Sequence, residues 1–382
     1  MENFDVAIVG GGLIGCSIAF ELSKENLRVI VLDRQQPGLE ASWAAAGMLS
    51  PAPHSPQDVT LVPLAKESLR LYPEFVREIE ECSATRVGYA QKSAFHIFFG
   101  SNGEAERDIM ISENKRLGLN CESASVSDAL KSEKALTSEM SAAALLSNEG
   151  SVEPRLLMEA ILIANRNRGV EIRSDFNATS LVVDRGRCTG IRGNGGVIAA
   201  KQVVMAAGCF SGSIISETKG FPGGLPVRPV RGQMVALSAP SVALHRVLRS
   251  HRGYLVPRAD GRIVAGSTLE EAGFEKRVTA EGIRHILDSA IELCPGLRKA
   301  EVLETWCGLR PGTPDNLPIL GPTECEGLIA ATGHYRNGIL LAPITARLVR
   351  EWIVQGRTTF DATVFSPLRF KEFRSEAVHT TR

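Results

Sequence analysis

The sequence has no excess of charge of either sign: 43 lysines and arginines balance 43 aspartates and glutamates over 382 residues. That balance leaves no broad field to hold nucleic acid or an anionic membrane, so a small-molecule partner is expected. The sequence also lacks any CxxC pair. Its eight cysteines (Cys16, Cys82, Cys121, Cys188, Cys209, Cys294, Cys307 and Cys325) are scattered, which argues against a zinc site and against a disulfide-stapled secreted domain. No metal is expected, and a reducing cytoplasm fits. No run approaches the roughly 20 apolar residues of a membrane span. The apolar N-terminus carries Glu2 and Asp5 where a signal peptide needs a basic region. There is no internal repeat and no low-complexity tract.

What is present begins at the first residues. Phe4 to Val9 is a short apolar run, followed by Gly10-Gly11-Gly12-Leu13-Ile14-Gly15, then Ile18, Phe20 and Leu22, then Leu27 to Leu32. This reads as strand, glycine turn, helix, strand. Gly10 allows the turn, Gly12 lets the backbone approach a pyrophosphate, and Gly15 lets helix pack on strand. The first amides of the helix and its positive dipole end make an anion site. Asp33 closes the second apolar run where it can accept from a ribose diol, completing the dinucleotide fingerprint.

At this length two domains are expected. Ala41 to Met48 is small and ends near Pro51, and two readings stand side by side: close approach to a bulky ligand, or a tight loop packed on a helix. Val62 to Glu81 has helical spacing, Tyr89 to Phe99 reads as a strand, and 103–118 as a charged helix. Leu156 to Arg168 is helical again, with Pro154 at its start. Val170 to Val204 reads as a small antiparallel meander ending on Ala206-Ala207-Gly208, a second close approach to the same ligand. Leu225 to Leu237 and Val247 to Thr268 form a second strand-rich block with a hairpin turn at Ala259-Asp260-Gly261. Tyr254 lies within it, as a pocket or as a core aromatic. Further on, Arg310 is expected at a strand end before Pro311 and Gly312. After a strand at Leu328 to Ala331, a glycine loop, Thr332 to Gly338, leads into a helix that runs to Val354 through Pro343.

Four stretches in order, GGGLIG, ASWAAAGML, GLRPGTPDNLPILG and ATGHYRNGILLAP, carry a resemblance over nearly the whole chain. The sequence resembles the glycine oxidases of the thiamine pathway, within the D-amino-acid and sarcosine oxidase group of flavoproteins. Arg336 and Asn337 after the Gly-His pair favour the oxidase branch over D-amino-acid dehydrogenases of the same fold. The resemblance implies an α/β fold with α+β elaboration: a Rossmann-like FAD-binding domain with a second, antiparallel-sheet substrate domain inserted. The expected bounds are 1–85, 146–222 and 309–382 for the first, and 86–145 and 223–308 for the second.

It also implies noncovalent FAD, since no counterpart of the covalent flavin cysteine of sarcosine oxidases is evident. Gly10, Gly12, Leu13, Ile14, Gly15, Asp33, Arg34, Ala41, Ser42, Ala46, Gly47, Met48, Gly208 and the backbone near Ser180 are expected to hold it. The loop His334, Tyr335, Arg336, Asn337, Gly338, Ile339 and Leu340 completes that set. Arg310 is expected to bind a substrate carboxylate, with Tyr254 lining the pocket and Arg336 contributing. These three form the expected catalytic group. The resemblance further implies O2 as acceptor, hydrogen peroxide as product and a homo-oligomer, a tetramer.

An arginine is the residue such a site needs, because its planar fork matches a carboxylate and lysine's point charge does not. Amides from Arg336 to Leu340 would stabilise developing negative charge. His334 is read as a loop histidine rather than a base. Three alternatives are open: a broader D-amino-acid oxidase or dehydrogenase with another acceptor, an NAD-dependent dehydrogenase, and a flavin-binding protein without turnover.

Overall fold

The computed structural model describes residues 3–53, 55–218 and 224–370. The expected domain boundary at 222 and 223, the first two residues and 371–382 lie outside them. Two eight-stranded sheets organise the described residues. The first runs in the order Ile319–Pro322, Leu328–Thr332, Gly196–Met205, Asn3–Val9, Val29–Leu32, Glu171–Arg173. From Leu328–Thr332 to Glu171–Arg173 every neighbouring pair is parallel. Both faces of such a sheet are covered, which is why Val6 to Val9 and Val29 to Leu32 read as unbroken apolar runs.

The second sheet runs Glu301–Gly312, Arg228–Ser238, Arg262–Gly266, Tyr254–Pro257, Val247–Arg249, Ala94–Phe98, Ala142–Leu146, Cys121–Ala124. Its neighbours are antiparallel except Val247–Arg249 with Ala94–Phe98. The fold is thus mixed α/β, as expected.

Three expectations are corrected. The chain from 170 to 205 is not one meander. Glu171–Arg173 joins the parallel sheet beside Val29–Leu32, and only Ala178–Asp184, Arg187–Gly193 and Gly196–Met205 form antiparallel pairs. Gly196–Met205 does two jobs, pairing antiparallel with the hairpin at its start and parallel with Asn3–Val9 at its end. Tyr89 lies outside a strand, which begins at Ala94. Arg310 does not end its strand either: Pro311 and Gly312 stay in register with Pro229 and Arg228. Glu301–Gly312 is an edge strand, so a proline costs no ladder bond on its open side.

One core binds the helix Leu13–Leu22, the helix Val62–Ser83 and the last helix, Gly338–Gln355. Pro343 interrupts that last helix, because it has no N–H for the carbonyl of Ile339 and its ring crowds the preceding turn. The Val62–Ser83 helix repairs the break. Tyr72 donates its hydroxyl to the Ile339 carbonyl at 3.2 Å, and Ser68 donates to the Leu340 carbonyl at 2.6 Å while facing the Ile344 amide at 3.4 Å. Both side chains are fully buried. The helix therefore keeps its course, and its first turn is held in place.

Candidate active site

A cavity of about 360 Å³ runs between the two sheets. At one end lie Gly10, Gly12, Leu13, Ile14, Asp33 and Arg34; at the other, Tyr254, Ser267, Arg310, His334, Tyr335, Arg336, Gly338 and Ile339. Ala41, Ser42, Ala46, Gly47, Met48 and Gly208 also line it.

The glycine turn is as tight as a dinucleotide requires. Gly10 has φ +108°, and a Cβ there would come within 2.4 Å of the Ala206 carbonyl oxygen. At Gly15 a Cβ would meet the Gly10 oxygen at 1.9 Å, so the helix sits directly on the strand. Two amides of the turn are already engaged: Gly11 donates to Asp33 Oδ2 at 2.7 Å and Leu13 to Ser42 Oγ at 2.9 Å. Asp33 also accepts from the Gln35 amide at 3.0 Å. Burial pushes its carboxyl up, with those two amides acting the other way.

At the other end Arg310 lies against the backbone of Gly232, where a Cβ would be 2.0 Å from Nη1. It donates from Nη1 to the Thr268 carbonyl at 3.2 Å and from Nη2 to Ser267 Oγ at 2.8 Å. Among the described residues no carboxylate pairs with it, and its guanidinium is held below its ordinary range by burial, with the Arg336 charge adding. The other deeply placed arginines differ: Arg231 pairs with Glu270 at 2.5 Å, Arg249 with Glu149 and Arg258 with Glu153, both at 2.9 Å. Tyr254 offers its hydroxyl to Met234 Sδ at 3.3 Å, a weak acceptor that an oxygen ligand readily displaces.

His334 is buried, with Nε2 3.0 Å from Thr345 Oγ1, and burial pushes its imidazole down to about 3. It is neutral at ordinary pH and ties the loop to the last helix. That helix begins at Gly338 with no side chain capping it, so its first amides and its dipole face the cavity.

Four expected positions do not line the cavity. Ser180 is two residues too far along its strand: the wall there is Phe176, Asn177 and Ala178, and a strand advances about 3.4 Å per residue. Gly15 lies beneath the turn, Leu340 is buried in the core, and Asn337 faces Ser50 to Pro53 and Leu61 instead.

Several contributors have no sequence signal. Arg258 donates to the carbonyls of Ala46 at 2.7 Å and Val152 at 3.1 Å, fixing the wall segment from across the sheet. Trp306 Nε1 donates to the Ala44 carbonyl at 3.1 Å, and Arg155 stacks 3.6 Å from the Trp43 ring while pairing with Glu304. Each joins residues more than 100 apart in the chain, so no local pattern announces them.

The cradle fits a dinucleotide: a turn with no room for a side chain at Gly10 or Gly15, an acid beside it, and a second helix start at the far end. Fold and cavity together define a nucleotide-dependent oxidoreductase. Residues 5–352 match the family model described as FAD dependent oxidoreductase, and the chain belongs to that family. It is 34% identical to the glycine oxidase of Geobacillus kaustophilus, over 96% of this chain and 97% of that one. To the glycine oxidase of Pseudomonas putida it is 33% identical, over 95% and 98%. It is also 34% identical to the bifunctional protein ThiO/ThiG of Trichormus variabilis over 98% of its own length, but spans only 56% of that relative, about half. The crystal structure of the Geobacillus kaustophilus glycine oxidase superposes with a TM-score of 0.91, covering 97% of this chain and 99% of that one at 32% identity.

No helix among the described residues is long and apolar enough to cross a membrane. Nor do they contain a group of three or more metal-ligating side chains. All eight cysteines are free, and burial raises Cys16 and Cys209 to about 12 and Cys121 and Cys188 to about 11.

Proposed function

We propose that the chain oxidises glycine or another small amino acid or amine to an imine, with O2 reduced to hydrogen peroxide, and that water converts the imine of an amino acid to a 2-oxo acid and ammonia. Its place would be in supplying thiazole formation for thiamine. The observation that carries this reading is Arg310, a half-buried arginine that no carboxylate pairs among the described residues, set in the wall of the dinucleotide cavity. A buried cation lacking its counter-ion is costly unless a ligand anion completes it.

FAD would be held noncovalently by Gly10 to Ile14, Asp33, Arg34, Ser42, Ala46 to Met48 and Gly208; when bound it supplies the acceptor for the hydride of the substrate α-carbon. Arg310 would grip the carboxylate, Tyr254 and Arg336 would crowd it into place, and the amides from Gly338 would stabilise negative charge developing opposite them. No general base is assigned, because His334 is neutral and turned to Thr345. The amine enters unprotonated. We further assign the sheet around Asn3–Val9 to the FAD-binding domain and the sheet around Arg228–Ser238 to an inserted substrate domain, and expect a cytoplasmic homo-oligomer, a tetramer.

The test is anaerobic flavin reduction by glycine, sarcosine and D-alanine on the purified protein, followed by peroxide detection in air. A yellow protein reduced by glycine with peroxide formed supports the proposal. Faster reduction by a bulky D-amino acid transfers it to the broader D-amino-acid oxidases. Reduction without peroxide means another acceptor, and a colourless protein that binds NADH ends it.

A further inference from the structure

Ser267 stands next to Arg310 on the cavity wall and has no motif to mark it. Its oxygen already accepts from Arg310 Nη2 at 2.8 Å, which turns its own O–H away from the guanidinium. Among the described residues no hydrogen bond is donated by that hydroxyl. The groups around it at this end of the cavity are the cations Arg310 and Arg336, the amides of the last helix and the Tyr254 hydroxyl, which gives its own proton to Met234; no carboxylate is among them. What is missing is an anion.

The hydroxyl is also held rigidly. Thr268, the next residue, gives its carbonyl to Arg310 Nη1 and its hydroxyl to Glu270, and it accepts from the Gln233 amide at 2.9 Å. Glu270 is gripped in turn by Arg231 and by Gln233 Nε2 at 2.7 Å. The peptide from Ser267 to Glu270 is therefore a fixed rest on which the guanidinium lies, pressed from the other side by the backbone of Gly232.

We propose that Ser267 is a substrate-positioning residue: it holds one nitrogen of Arg310 and donates its proton to the same carboxylate that Arg310 binds. The inference rests on the amino-acid oxidase reading. It adds a third donor, neutral and fixed in place, to the arginine's fork, and so favours substrates with a free carboxylate over the corresponding amides, esters and simple amines.

The holoenzyme is titrated with acetate, a carboxylate without an amine, following the flavin absorbance, and glycine turnover is measured alongside. A hydrogen bond to a charged group accounts for about tenfold in affinity. Ser267→Ala should weaken acetate and raise KM for glycine by about tenfold, leave kcat within about twofold, and leave FAD affinity unchanged. Ser267→Thr, which keeps the hydroxyl, should recover most of the loss. Ser267→Cys, close in volume but a poor donor, should behave like alanine and serves in its place if that variant does not fold. Unchanged acetate affinity in Ser267→Ala or Ser267→Cys, while Arg310→Ala loses it, overturns the role of Ser267 alone. If Arg310→Ala also binds acetate normally, the carboxylate clamp itself is wrong.

Discussion

The two ends of the cavity are built on opposite principles. At the glycine turn the backbone does the work: there is no room for a side chain at Gly10 or Gly15, and the groups presented are amides and one carboxylate. At the arginine end side chains do the work, and their positions come from partners spread over three strands and a loop. A ligand cradle made of backbone tolerates almost no substitution but needs few residues. One made of side chains can be retuned for a new substrate while the fold stays as it is.

The largest expected effect lies at the turn. Gly15→Ala places a methyl 1.9 Å from a carbonyl oxygen that cannot move without shifting the strand. The overpacking should cost about 3 kcal/mol, and the purified protein should be colourless with a lowered Tm. A stable, yellow Gly15→Ala enzyme would contradict the tight backbone cradle. At the other end Arg310→Lys should give a protein just as yellow and stable. Its kcat/KM for glycine should fall by a hundredfold or more, as truncating one member of a desolvated charge pair costs about 2 to 5 kcal/mol. Loss of flavin from Arg310→Lys would show that the two ends are not separable.

A smaller effect is expected where the helix start meets the core. Tyr72→Phe leaves the Ile339 carbonyl of the broken turn unpaired and Ser68→Ala removes a buried hydrogen bond to the Leu340 carbonyl, at about 1 to 2 kcal/mol each. Urea unfolding should register both, with Tyr72→Phe the more damaging because the carbonyl it serves has no helical partner.

The smallest is a pH effect behind Arg310. Burial acts to raise the Glu270 carboxyl, but the hydrogen bonds from Thr268, Arg231 and Gln233 and the Arg231 charge outweigh it, and the net shift is downward. Stability from this group is therefore fully present above the ordinary value of 4.5 and is lost as pH falls through the lower folded value. Tm measured from pH 7 down to 3 should drop less steeply in Glu270→Gln than in the parent. Equal slopes would remove Glu270 from the support of the clamp.

The glycine turn, Asp33 and the last helix were legible because each is local: strand, turn and helix follow one another within a few residues, and their spacing states their geometry. The resemblance put the backbone near Ser180 in the wall, where Phe176 to Ala178 stand, because the point at which a strand leaves a ligand depends on the strand's register and not on its composition. The local reading ended the strand of Arg310 early, because proline and glycine signal a turn unless the strand is an edge. Arg258, Trp306 and Ser267 carry no pattern at all.

Taken alone, the order of residues determined the nucleotide turn and the helices and strands around it, since apolar periodicity and the conformational limits of glycine act between near neighbours, while its resemblance to a family singled out Arg310. Which arginine is left without a carboxylate, what repairs the helix at Pro343 and which hydroxyl stands beside the guanidinium were decided only by packing. Those facts depend on distances between chain segments up to 272 residues apart, as between Ser68 and Leu340, and nothing shorter than the whole fold sets such distances.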